Sequence, residues 1–272
     1  MIILLIVILF WQTDYLFENN SVKDLESEQS LNTTEMFPAG EELYYDVRYL
    51  GLSIGELKFM INRRYNKNGK PVFEASVDIR SNPAIPFVKL SQLYNSVIEG
   101  EIYSRFFRGI VRSDDDTTYT DYNFHYEAKK IYMQRGSYTK KEKWIDTTFV
   151  ADTLLQDGLS IFYFARFHSN ASKKINVPCF VDEKKVYTKI NFYNKTEAID
   201  INAINYDIAC VKLDGSTDFV SVFGLTGDFE GWFTKDAASI PIKAKLNVIL
   251  GSINLELKKW NRPNWTPPVY KK

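Results

Sequence analysis

Histidine and cysteine are scarce in this chain, with two of each in 272 residues. A structural zinc site takes four Cys or His ligands, and His125 and His168 lack the i, i+4 partner of a helical site, so no metal centre is expected. Excess charge of either sign is also missing, since 34 Lys and Arg balance 34 Asp and Glu. Phosphate binding needs a net basic face, which argues against a nucleic-acid partner. Gly51 and Gly55 are followed by neither Lys-Ser/Thr nor a helix, so they form no nucleotide loop and read as a turn between strands. Asp114, Asp115 and Asp116 offer oxygens to a hard cation, but without calcium-loop spacing or a Gly for its sharp turn. They read as a solvated hairpin tip. Around Ser160 the sequence "GLSIF" lacks the Gly-x-Ser-x-Gly elbow of a hydrolase. No catalytic residue, metal ligand or cofactor is assigned, and the protein is expected not to be an enzyme. Cys179 ("VPCFV") and Cys210 ("IACVK") lie on separate expected strands. In an oxidising compartment they either pair or stay as two buried thiols, and the sequence leaves both open.

Long apolar runs are confined to the N-terminus, "MIILLIVILFWQTDYLF". The stretch Ile2 to Trp11 fits a signal-peptide core and is too short to span a bilayer alone. It has no preceding basic residue, no small-x-small cleavage site and no Cys after it for a lipid anchor. Residues 1–17 are read as a signal peptide or N-terminal hydrophobic segment, with an uncleaved interfacial anchor and a buried N-terminus as the other readings. Residues 18–36 are read as a flexible polar spacer without periodicity, residues 37–262 as a single β-rich domain, and residues 263–272 as a C-terminal tail.

What the sequence has in abundance is aromatic residues, 15% of the chain, with 17 Tyr and 19 Phe. Flat rings suit a pleated surface. Apolar residues alternate at Leu43, Tyr45, Val47 and Tyr49, less cleanly at Ile54, Leu57, Phe59 and Ile61, and again in "VFEASVDIRS" after the turn "NKNGKP". Pro83 and Pro86 interrupt the pattern, and a short helical turn is expected to follow them, through Tyr94. Strands resume and continue to Trp260. One segment, Asp152 to Phe167, has helical spacing, with Asp152 or Thr153 as cap and Arg166 suited to the C-terminal dipole. Leu159, Phe162, Tyr163 and Arg166 fall at i, i+3, i+4 and i+7 and should face the sheet. Asp157 and Arg166, nine residues apart, point to opposite sides of a helix, so each must find a partner on the sheet. Asp236 is one candidate for Arg166, and buried structural ion pairing is the first reading, with a polar anchor for a ligand as the other. A long antiparallel sheet buries one face by closing, stacking or wrapping a helix. The expected fold is mainly β: a single antiparallel β-barrel or strongly curved half-barrel sheet wrapping one central helix.

The same residues carry a family likeness. "FPAGEELYYDVRYLGLSIGEL" has Gly40-Glu41, Tyr45, Gly51 and Gly55. "DGLSIFYFAR" has Asp157, Ser160, Tyr163 and Arg166, and "GWFTKDAASIPIKAKLNVILGSINLEL" has Trp232, Asp236, Pro241 and Gly251. In these three motifs, in this order from Phe37 to Trp260, the chain resembles the exported bacterial proteins grouped as domain of unknown function 3108. The resemblance implies a signal-bearing, mostly antiparallel β protein of the periplasm or cell envelope, similar in kind to curved sheets that wrap a helix or a lipid in lipoprotein carriers. It implies no activity. Asp157, Tyr163, Arg166 and Trp232 form the expected ligand-binding set, polar anchors beside an apolar groove. The expected function is a non-enzymatic envelope protein binding an apolar or lipid-like ligand on the concave face of its sheet, with membrane association only through the N-terminal segment. The alternative is a structural or assembly factor docking on another envelope component, such as a polysaccharide export system. A carboxylate pair in a cleft would support a glycan-acting hydrolase, which stands third.

Overall fold

The computed structural model describes residues 33–85, 89–217, 219, 227–247 and 251–271. The hydrophobic segment 1–17 and most of the spacer therefore lie outside the described residues.

Period-two alternation becomes strands throughout the chain. They are β1 (Glu42–Tyr49), β2 (Leu52–Lys67), β3 (Lys70–Ser81), β4 (Ser91–Glu99), β5 (Tyr103–Arg112), β6 (Thr117–His125), β7 (Lys130–Ser137) and β8 (Glu142–Val150), followed by β9 (Lys173–Val181), β10 (Lys184–Ile199), β11 (Ile208–Thr217), β12 (Gly227–Thr234), β13 (Pro241–Asn247) and β14 (Ser252–Asn261). Between β8 and β9 runs the helix α1 (Ser160–His168). All fourteen strands form one sheet in the order β8-β7-β6-β5-β4-β3-β2-β1-β14-β13-β12-β11-β10-β9. Each neighbouring pair is antiparallel, and every pair joins sequence neighbours except the β1–β14 seam, while the sequence neighbours β8 and β9 are the two edges. The chain thus lays down one half of the sheet outward to β8, crosses through α1, and returns to join β14 to β1.

Alternation sets which face is buried. In β3, Val77 is fully buried and Ala75 1% exposed, while Glu74 and Asp78 stay at the surface, as a sheet with one packed face requires. The irregular step from Ile54 to Leu57 in β2 has a local cause, a register shift in which Val47 pairs with Gly55 and Arg48 with Ser53, so that Ile54 is an extra residue in the ladder. Such shifts occur in seven of the thirteen ladders, and each bulge bends and twists its strand. The sheet is not closed by hydrogen bonds, yet side chains from its two ends meet. Phe149 of β8 lies 5.2 Å from Phe180 of β9, Tyr122 of β6 packs edge-on to Phe180 at 5.0 Å, and Arg135 of β7 bridges Glu183 at 3.1 Å. The expected fold is met in its coarser form, a mainly β, antiparallel single sheet.

Several expectations are corrected. The helix begins at Ser160, because the backbone of Leu155 and Gln156 is engaged between strands. Ser104 N–H donates to Leu155 O at 3.0 Å, Gln156 N–H to Pro178 O at 2.9 Å, and Phe180 N–H to Gln156 O at 2.8 Å. Asp152 is exposed and holds Lys185 at 2.6 Å, so it is no cap. The segment through Tyr94 is strand β4, since Ser91 to Glu99 pair along both β3 and β5. The last residues of the spacer are packed, with Thr33 2% and Met36 4% exposed. The tail is also bound: Ala209 N–H donates to Pro268 O and Tyr270 N–H to Asp207 O, both at 2.8 Å. Cys179 and Cys210 are both free and buried. The acidic cluster is, as expected, a hairpin tip, the turn between β5 and β6, where Asp114 pairs with Lys89 at 2.7 Å.

Candidate functional site

Asp157 sets the start of α1. Its carboxylate accepts the N–H groups of Leu159 and Ser160 at 2.7 and 2.8 Å, and the Ser160 hydroxyl accepts the Asp157 N–H at 2.8 Å. This is a reciprocal cap that satisfies helix-end donors. Ser96 of β4 and Ser104 of β5 donate to the same carboxylate at 2.8 and 2.5 Å. Asp157 therefore fixes the helix entry to two strands. Burial pushes its carboxyl upward, and the four donated bonds oppose that push.

The helix then crosses the sheet face and touches both halves. Phe162 stacks on Phe59 of β2 at 4.2 Å, Tyr163 lies edge-on to Phe73 of β3 at 5.4 Å, and His168 faces Phe192 of β10 at 6.2 Å. At its far end Arg166, fully buried, makes paired bonds to Glu41 at 2.5 and 2.9 Å. It also donates to Ala238 O at 3.0 and 3.1 Å and to Met36 O at 2.9 Å. Arg262 binds the same Glu41 from the C-terminal side. A guanidinium without contact to water needs this saturation. Asp236, expected to hold Arg166, instead accepts the N–H groups of Ala238 and Ser239 at 3.1 and 3.0 Å and the Trp265 indole at 2.8 Å.

Between α1 and the sheet a cavity of about 270 Å³ remains. The helix contributes Ile161, Phe162 and Ala165, and the sheet presents Leu57, Phe59, Ile190, Leu213 and Phe229 among others. The lining reaches the strand ends at Ile54, Ser81, Thr217 and Asn247, and includes Leu90, which is 43% exposed. Its buried polar members are Asp157 and Thr188, beside the Cys179 thiol, which burial pushes up to about 12 and so keeps protonated. Such a space suits an apolar guest. Among the described residues no cluster of His, Cys, Asp or Glu is arranged to hold a metal ion.

The four expected ligand-binding residues are not gathered there. Only Asp157 lines the cavity. Tyr163 is packed behind it against Phe37 and Phe73, and Arg166 is consumed by Glu41 and carbonyl groups. Trp232 alternates with the lining residues Gly231 and Phe233, and so turns to the other face of β12, where its indole donates to Glu197 at 3.0 Å under Lys212. The lining residues Ile161 and Ala165 were missed because they look like ordinary apolar helix positions. Glu41 stood in a recognised motif, but its partner lies 125 positions away.

An open antiparallel sheet that curls until its ends touch, with an apolar cavity against one helix, defines a barrel-like β protein. The chain belongs to the family described as "Protein of unknown function (DUF3108)", which matches residues 44–258. In fold it is similar to a beta-barrel-like protein of domain of unknown function DUF1849 from Brucella abortus, with TM-score 0.54 and 12% identity over 86% of this chain and 99% of that one. A Bacteroides fragilis protein with a YmcC-like fold aligns with TM-score 0.36 and 8% identity over 82% of this chain and 96% of that one, too remote to carry an argument. No curated protein matches the chain.

Proposed function

We propose that this protein is a non-enzymatic, exported envelope protein that holds a lipid-like ligand between α1 and the inner face of its sheet. In this reading the sheet curls around the helix as a central element, and the ligand takes the space the helix leaves. The observation that carries it is the cavity of about 270 Å³ bounded by Phe59, Phe162 and their apolar neighbours. An apolar space of this size, reaching the strand ends, admits an acyl chain. Binding would draw on about 0.8 kcal/mol for each methylene removed from water. The polar end would stay at the strand ends, because Asp157 already has four donors from the protein. The apolar segment Ile2 to Trp11 supports export.

Incubating the purified protein with total envelope lipid and recording native mass spectra tests this. The expected result is a one-to-one adduct with the mass of a single-chain amphiphile. A clean apo mass across a lipid concentration series would contradict the reading.

A further inference from the structure

The turn joining β1 to β2 combines two unfavourable features at one residue. Tyr49 pairs with Leu52, so the loop consists of Leu50 and Gly51 alone. Their φ values are 48° and 82°, both positive as a type I′ turn requires. The β2–β3 turn at the opposite end of β2 has the same form, with Asn68 and Gly69 at 53° and 79°. Asn is at home in that conformation because its short side chain tolerates it, whereas Leu is strained there. Leu50 is also 73% exposed, and Leu52 beside it 61%. Neither the turn nor the core gains from leucine at these positions. Strain and exposure together point to a role outside folding.

The position of the turn indicates that role. Val47 and Ile54, on either side of it, line the cavity, and Leu90 at the same end is itself half-exposed. The turn therefore stands at the rim of the cavity's open side. Four cations nearby are neutralised in pairs, Arg48 with Asp46 at 2.5 Å, Arg80 with Asp78 at 2.7 Å, Lys258 with Glu56 at 3.3 Å and Lys89 with Asp114 at 2.7 Å, while Lys245 and Arg112 stand exposed at the same strand ends. Three exposed leucines on a rim whose charges are largely paired suit hydrocarbon. Protein hot spots, by contrast, favour Trp, Tyr and Arg and seldom use Leu. We propose that the β1–β2 turn, through Leu50 and Leu52, inserts into a lipid surface and brings the mouth of the cavity against it. This gives the proposed ligand a route that avoids water, but the docking rests on the turn itself and stands apart from the ligand.

The test reads insertion at the turn in the full chain, where the N-terminal apolar segment can bind vesicles by itself. A polarity-sensitive thiol-reactive fluorophore is attached through Leu52→Cys, and in a control through Asn68→Cys. The native thiols of Cys179 and Cys210 are buried and do not compete. With phosphatidylcholine vesicles the fluorophore at 52 should shift to the blue, equally at low and high salt, and the one at 68 should not. Leu50→Asn should weaken the vesicle titration read at 52 at least tenfold while raising the thermal midpoint, because Asn suits the turn. No shift at 52, equal shifts at both positions, loss of the shift in salt, or an unchanged titration in Leu50→Asn would each overturn the proposal. So would a lowered midpoint in Leu50→Asn, or protection of position 52 by a protein partner but not by vesicles. A lipid adduct without insertion refutes the docking alone, and insertion without an adduct refutes the ligand reading alone.

Discussion

Glu41 is the carboxylate on which the closed end of the fold depends, and replacing it should do more harm than replacing either of its partners. Its side chain is 2% exposed, against none for Arg166 and 7% for Arg262. Arg166→Met removes one guanidinium but leaves Glu41 paired with Arg262, so no ion is stranded. The change withdraws two bonds to Glu41, two to Ala238 O and one to Met36 O, and Met36 O keeps Arg262 at 3.1 Å. Breaking a buried pair typically costs about 3–5 kcal/mol, and the surviving Arg262 places this variant near the lower end. Glu41→Gln leaves two buried guanidiniums facing a neutral amide. Each keeps its desolvation penalty, and the two repel each other, so the cost should exceed about 5 kcal/mol. That is comparable with the whole stability of many domains, about 5–15 kcal/mol. Urea unfolding followed by tryptophan fluorescence measures both. An equal or smaller loss in Glu41→Gln than in Arg166→Met would refute the account of this end of the molecule.

Leu159→Ala should cost about 2–5 kcal/mol, because Leu159 is fully buried, whereas Phe162→Ala should fall below the usual 3–5 kcal/mol, because one side of its ring already borders the cavity. Denaturant midpoints of the two variants check the order, and a full-sized loss in Phe162→Ala would mean that the cavity is packed. His168 is partly buried against Phe164 and Phe167 with Lys173 beside it, which lowers its imidazole to about 4 from 6.5. The folded state thus resists protonation while the unfolded state accepts it. Stability from this group is complete above about pH 6.5, falls as pH drops toward 4, and levels off below that. The ring is partly exposed, so the loss should be about 1–2 kcal/mol. His168→Phe should remove that part of the pH dependence, and identical pH profiles for the two proteins would contradict the assignment.

The fold was legible where local chemistry decides it. Alternating Leu43, Tyr45 and Val47 became β1, and Asn68-Gly69 became a two-residue turn, because strand period and turn conformation are properties of adjacent residues. The burial of Leu159, Tyr163 and Arg166 followed from helical spacing for the same reason, whereas Phe162, expected on the same buried face, is only partly buried because its ring borders the cavity. Long-range chemistry was not legible. Arg166 had to be paired, but Glu41 and Asp236 are equally acidic in a sequence, and only the β1–β14 seam decides which of them reaches it. The helix start was misplaced because Leu154, Leu155 and Leu159 have the apolar spacing of a helix, yet Leu155 and Gln156 lie between β5 and β9. An apolar groove was expected, but its lining was not legible, because a space is defined by what does not meet, and Ile161 and Ala165 read as core in any helix.

The claim that the space beneath α1 holds an acyl chain is tested most directly by blocking it. Ala165 lines the cavity from the helix, and Ala165→Phe would fill part of it without touching Asp157 or Glu41. Titration with a medium-chain fatty acid carrying a terminal fluorophore, run beside thermal unfolding, gives the comparison. The account predicts saturable one-to-one binding to the native protein, weakened at least tenfold in Ala165→Phe, at an equal or higher thermal midpoint. No binding to the native protein, or equal binding to both at equal stability, would contradict it.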